Sequence, residues 1–194
     1  MRLMHFALAC ELAFGGLSGC AWLPDKPVAP PAQASWQKLY QIPAWKLEGR
    51  IAAKMGQEGW NANLSWEHED GQERLRIFGP FNQGAVSILV QSDAVIVNDG
   101  GGEVLSLRDP DAWMKERLGF TVPLRSLRYW VLGLPDPGGE YKAAGDGSGF
   151  EQQAWVLAVE RFEAIGDWVL PKKMALRGDA VTLKLIVDEW FFNQ

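Results

Sequence analysis

Three features of the chain predict a mostly β, α+β domain built on a curved antiparallel sheet covered by two or three short helices. From about Trp36 onward most segments alternate apolar and polar residues with period two. Short polar connections rich in Gly, Asn and Asp separate these segments, as in a meander of hairpins. The alternation gives way in the middle of the domain, where two successive stretches adopt helical spacing.

The first residues, "MRLMHFALACELAFGGLSGC", do not belong to that domain. Arg2, an apolar run too short to span hydrocarbon and a small-residue stretch form the pattern of a secretory signal. It ends in Leu17-Ser18-Gly19-Cys20, a bacterial lipobox. Residues 1–19 are therefore expected to be removed, and the Cys20 thiol to carry a diacylglycerol as the first mature residue. Glu11 is unusual inside the apolar run. Cys10 leaves with the leader, so the mature chain keeps no thiol for a disulfide or a nucleophile. Ala21, rather than Asp, follows the anchor and favours the outer membrane. Residues 20–35 then form a tether, because Pro24, Pro27, Pro30 and Pro31 interspersed with alanines hold a chain extended. The folded unit is expected over 36–194.

Within it, "QKLYQIPAW" predicts a short helix ending before Pro43. "LEGRIAAKM", "WNANLSW" and "ERLRIFG" follow as half-buried strands, with Ile51, Leu64, Trp66 and Ile77 on their apolar faces. "AVSILV", "AVIVND" and "VLSL" continue the series and add Val86 and Ile88. Asp109, Pro110 and Gly119 bracket one helix that carries Trp113 and Met114. Pro123 and Gly133 bracket another that carries Leu127, Trp130 and Val131 on a wide apolar face. The glycine-rich "GDGSGF" reads as a flexible connection. "AWVLAVERFEAI", "KKMALRG" and "VTLKLIVDEW" return to alternation, the last with Leu185 and Val187 inward. About ten strands result, and a sheet of that size tends to curl. Its apolar concave face then needs a cover, and the helices are the elements available to supply it.

Catalytic chemistry is hard to find. His5 falls in the leader, and His68 in "EHEDGQE" has no second histidine to complete a metal site, so it reads as part of a solvated hairpin turn. No G-x-S-x-G elbow occurs, and "GDGSGF" lacks the lysine and the helix of a phosphate loop. A net charge of −5 argues against nucleic acid. Ten tryptophans suit a large apolar cavity or an interface.

The segment "SLRYWVLGLP" (126–135), with "LEGRIA", "LSW", "GPFNQG", "LGFTVPLRSLRYW" and the terminal "LKLIVDEW", resembles the LolB family of outer-membrane lipoprotein receptors. The resemblance implies an unclosed β-barrel with a helical lid over an apolar cavity. It implies a non-enzymatic receptor, working as a monomer on the periplasmic face of the outer membrane. Such a receptor takes acylated lipoproteins from the periplasmic carrier LolA and inserts them into outer-membrane lipid, using no nucleotide, metal or other cofactor. On that reading Cys20 is the lipidation site. Ile51, Leu64, Trp66, Ile77, Val86, Ile88, Leu185 and Val187 are candidate acyl-chain contacts. Trp113, Met114, Leu127, Trp130 and Val131 are candidate lid residues. Pro80 and Phe81 stand at the family's apolar loop tip, where a side chain can enter the bilayer. The loop here, "PFNQG", is longer than the family's Pro-Leu-Gly and has Phe in place of Leu. Alternation makes the same demand on a cavity wall as on a solid core, and Phe81 equally suits packing onto the domain. A scaffolding lipoprotein with a solid core therefore remains the alternative at this stage.

Overall fold

The structure is a computed structural model that describes residues 26–79, 84–92, 94–101, 104–107 and 110–192. The alternating segments become eleven strands: β1 (Ala44–Met55), β2 (Glu58–Glu69), β3 (Gln72–Phe78), β4 (Val86–Val90), β5 (Val95–Asn98), β6 (Val104–Leu107), β7 (Lys142–Ala143), β8 (Gly149–Gln152), β9 (Trp155–Ile165), β10 (Trp168–Arg177) and β11 (Thr182–Phe191). Helix α1 (Gln33–Tyr40) precedes them, and α2 (Pro110–Leu118) and α3 (Leu124–Trp130) interrupt them. All strands join one sheet in the order β6-β5-β4-β3-β2-β1-β11-β10-β9-β8-β7. Two meanders, β1 to β6 and β7 to β11, are fused where β11 pairs antiparallel with β1. The sheet does not close, since β6 and β7 are its two ends. The mostly β, unclosed architecture expected from the sequence is thus present.

Register fixes which residues face inward. Leu47, Gly49, Ile51 and Ala53 on β1 lie opposite Trp66, Leu64, Ala62 and Trp60 on β2. On the other side they lie opposite Trp190, Val187, Leu185 and Leu183 on β11. The register slips between Glu48 and Gly49, and there a Cβ on residue 49 would stand 2.4 Å from the Ile186 carbonyl oxygen. Glycine at this bulge lets the two strands approach, which keeps the inward faces in step across the seam.

The chain differs from the sequence expectation at two places. The folded body begins before Trp36, because α1 starts at Gln33 and Val28 forms a β-bridge to Phe162 and packs against the core. The Pro and Ala content of 26–35 masks this, since it suits a tether and a docked extended segment equally. Secondly, "GDGSGF" is a hairpin rather than a loose connection. Asp146 Oδ1 accepts from the Ser148 amide at 2.9 Å and from its hydroxyl at 2.7 Å, turning the chain from β7 into β8. Gly149 is required by packing, because a Cβ there would lie 2.1 Å from the Leu157 carbonyl oxygen of β9.

The interior is solid at one end. Trp45 stacks at 5.5 Å on His68 and lies 5.5 Å from Trp66 and 5.6 Å from Trp190. Trp190 in turn lies 6.1 Å from Phe192, which stacks on Trp168. Aromatic pairs of this kind contribute about 0.5–1.5 kcal/mol each beyond the area they bury.

Candidate functional site

Toward the other end the inward faces do not meet. A cavity of about 500 Å³ lies between the concave face of the sheet and the α2–α3 segment. Apolar residues dominate its wall, with Asp99 and Lys184 the charged residues that line it. It follows β2 lengthwise. Trp60 is 38% exposed, Ala62 and Leu64 come next, and Trp66 is 4% exposed; all four line the cavity. The mouth therefore lies at the Trp60 end, and Trp66 is the deepest residue of β2 to line the cavity, while on β5 the lining reaches Val95 in the row of Glu73 and His68. At strand rise the path along β2 is roughly 20 Å long.

Of the sheet residues expected to face acyl chains, Ile51, Leu64, Trp66, Ile77, Val86, Ile88 and Leu185 line this cavity. Val187 does not. It is fully buried opposite the Gly49 bulge and belongs to the solid part of the core. Period two assigns a face but cannot say where along that face the hollow stops.

Of the expected lid residues, Trp113 and Met114 on α2 line the cavity, as do Leu127 on α3 and Val131 just after it. Phe120 and Val122 in the connection, and Leu124 on α3, complete the cover. Gly119 ends α2 at φ +80°, and its amide donates to the Lys115 carbonyl at 3.1 Å. Trp130 also lies on α3 but as a packing anchor, 1% exposed and away from the cavity wall. Its Nε1 donates to Gln152 Oε1 at 2.8 Å, which also accepts from the Asp136 amide at 2.8 Å. Gln152 Nε2 donates to the carbonyls of Asp136 at 2.8 Å and Gly139 at 3.1 Å. Ser126 Oγ donates to Asp136 Oδ2 at 2.6 Å and accepts from Gln153 Nε2 at 3.0 Å. Arg125 reaches across to the Gln91 carbonyl at 2.9 Å. Helix α3 is thus pinned by polar bonds at both ends, through Arg125 and Ser126 at its start and Trp130 at its close, while Leu124 and Leu127 roof the cavity.

His68 is a correction. It is not part of a solvated turn. Its Nδ1 donates to Glu73 Oε1 at 2.6 Å, and Glu73 Oε2 accepts from Trp66 Nε1 at 2.9 Å. Glu73 is 2% exposed, so this carboxylate sits inside the protein with both oxygens engaged. Among the described residues no three His, Cys, Asp or Glu side chains gather as a metal site. Sequence reasoning overlooked both Glu73 and Gln152, although strand parity carries the signal. Glu73 shares the inward face of Leu75 and Ile77, and Gln152 shares that of Phe150.

Cys20, Pro80 and Phe81 fall outside the described residues. The roots of the 79–84 loop are placed, however. Ile77 and Val86 pair across β3 and β4, and both line the cavity. The ends of β3 and β4 that flank positions 80–83 therefore lie toward the mouth.

Residues 43–190 match the family model described as outer membrane lipoprotein LolB. The chain belongs to the LolB family. Its relatives include the outer-membrane lipoprotein LolB of Marinomonas sp. (strain MWYL1), 26% identical over 96% of this chain and 98% of that one. That of Pseudomonas aeruginosa is 27% identical over 98% and 97%, and that of Nitrosococcus oceani 29% over 90% and 91%. Family membership makes the chain an outer-membrane lipoprotein, lipid-anchored at that membrane. Among solved structures, a LolA superfamily protein from Nitrosomonas europaea aligns with a TM-score of 0.53 at 10% identity, over 86% of this chain and 95% of that one. A DUF1329 family protein from Desulfovibrio piger gives the same score over 85% and 94%. At such identities the likeness is one of fold. This chain therefore shares the overall fold of that LolA superfamily protein.

Proposed function

We propose that this chain is the lipoprotein receptor of its outer membrane. It accepts acylated lipoproteins from a LolA-type periplasmic carrier into the lidded cavity and releases them into membrane lipid. The observation that carries this reading is the apolar cavity of about 500 Å³ in a chain of the LolB family. That volume is within the range of about 300–1,000 Å³ common to ligand sites. A sealed packing void of such size would cost on the order of ten kcal/mol at about 24 cal/mol per Å³, comparable to the stability of a whole domain. The hollow therefore reads as a receiving site rather than a defect, which counts against the solid-core scaffold.

Acyl chains favour such a site because each methylene removed from water contributes about 0.8 kcal/mol. No nucleotide is needed if affinity rises from carrier to receptor and again into the bilayer. Cys20 supplies the anchor, and the segment after it sets the reach from the membrane. On this reading Phe81 enters the bilayer interface at the mouth, where an aromatic ring is well accommodated, and opens a path for the cargo's acyl chains.

The test is a two-step transfer. A carrier loaded with radiolabelled lipoprotein is mixed with the anchored receptor and then with liposomes. The expected result for Phe81→Glu is label that reaches the receptor but stalls before the liposomes. If the parent receptor takes up no label from the carrier, the receptor assignment fails. If Phe81→Glu delivers as well as the parent, the assignment survives and the loop-tip role is lost.

A further inference from the structure

The cavity has a built floor. Along β2 it runs from Trp60 at the mouth to Trp66, and beyond Trp66 on that strand lies the packed group of Trp45, His68 and Trp190. Trp66 is held on two sides. Its ring lies against Trp45 at 5.5 Å, and its Nε1 donates to Glu73 at 2.9 Å. Glu73 is in turn fixed by His68 at 2.6 Å, and His68 by stacking on Trp45. Burying a carboxylate is costly unless it is fully paired. An ordinary apolar core would have placed Leu or Val at position 73, as β3 does at its other inward positions Leu75 and Ile77. The acid there fixes the orientation of one indole, and that indole ends the cavity wall on β2.

We propose that Trp66 is the stop that sets how long an acyl chain the cavity accepts, with Glu73 and His68 as positioning residues that hold the stop in place. This rests on the acyl-receiving reading above and adds a specificity to it. While a chain is short enough to lie between Trp60 and Trp66, every added methylene finds apolar wall, and affinity rises about fourfold per methylene at about 0.8 kcal/mol each. Once the chain end meets Trp66 the wall on β2 ends, and although the lining on β5 continues to Val95, a further methylene gains less contact, so the rise in affinity breaks there.

The experiment uses the full lipidated chain in vesicles of phosphatidylethanolamine and phosphatidylglycerol. A homologous series of straight-chain fatty acids carries a photoactivatable diazirine at the methyl end. Cross-linking yield is measured against chain length, and the labelled residue is mapped by mass spectrometry. In the parent, yield is expected to climb with length and then break, with the adduct at the break on Trp66 or its neighbour Leu75. Trp66→Leu is expected to move the break toward longer chains, with about fourfold more yield for each extra methylene accommodated. Trp66→Phe is expected to move it by less. Glu73→Gln keeps an acceptor for Trp66 Nε1 and leaves the break in place, whereas Glu73→Leu flattens it. A purely structural role for Glu73 would lower yield at all lengths and leave the break where it is.

Adducts at the break that map near Trp60 in the parent would overturn the proposal, and so would a break unmoved in both Trp66 variants. Those parent adducts need no variant to fold. No cross-linking of the parent at any length would instead overturn the acyl-receiving reading itself, which separates the two failures.

Discussion

Buried polar side chains carry much of the specificity of this molecule. Gln152 is 2% exposed and makes bonds to Trp130, Asp136 and Gly139, so one amide ties α3, the turn after it and β8 together. Gln152→Leu keeps the size but strips the acceptor from two donors, the buried Trp130 indole and the half-buried Asp136 amide. Each orphaned donor costs about 1–3 kcal/mol. Chemical denaturation should therefore show a loss of roughly 2–5 kcal/mol, allowing for partial relaxation. A loss below about half a kcal/mol, the usual size of a surface change, would show that the amide is not the tie described here. Glu73 and Gln152 were legible in principle from strand parity. A polar residue at an inward position reads as an error in the pattern, and only the distances to Trp66 and Trp130 reveal that each has an indole partner.

At the scale of elements, the strands were the most legible part. Ile51, Leu64, Ile77 and Leu185 reach the concave face that period two assigns them, because a one-residue slip would turn the whole strand inside out. The β7–β8 hairpin was hidden because glycine signals turn freedom and close approach alike, and Gly149 serves the second purpose. The start of α1 was hidden because its first turn is built from residues that also suit a tether.

Helix α1 is latched to the lid end of the molecule. Tyr40 donates its hydroxyl to the Pro135 carbonyl at 2.6 Å and meets Tyr129 edge-on at 5.7 Å. Burial, reinforced by Tyr141, Tyr129 and Asp136, pushes the Tyr40 phenol up from 10.0 to about 12. The phenol is neutral when protonated, so a raised value means that the fold favours the protonated form. Its contribution is fully present below pH 10, where folded and unfolded chains both hold the proton. It is lost as pH rises from about 10 to about 12, where the unfolded chain releases the proton first. The stability difference between the parent and Tyr40→Phe should accordingly be constant below pH 10 and shrink above it. A difference that stays constant through pH 12 would contradict the latch. Denaturant unfolding at stepped pH measures it.

For the molecule as a whole, the sheet is solid at the Trp45–Trp190 end and hollow toward Trp60. That asymmetry was not legible, since cavity wall and solid core both require apolar residues every second position. It depends on how far the lid stands from the sheet, which is a property of packing between distant elements. Trp66 faces the hollow while Val187 packs in the core, although the two lie on strands that flank β1 and follow the same pattern. Helical spacing pointed to α2 and α3, but it could show neither that Phe120, Val122 and Leu124 join the cover nor how labour is divided within it. Leu127 and Val131 roof the cavity while Trp130, between them in sequence, turns away to anchor the helix.

The central claim is that acyl chains enter the hollow beneath the lid. The measurement that tests it most directly is isotope-filtered NMR on the methyl-labelled protein with an unlabelled acylated peptide bound. The account predicts contacts from acyl protons to wall methyls of Ile51, Ile88 and Leu185 and, in the same complex, to roof methyls of Leu127 and Val131. Saturable binding with contacts confined to outward-facing Leu89 and Ile96 on the convex side of the sheet, and none to wall or roof, would contradict it.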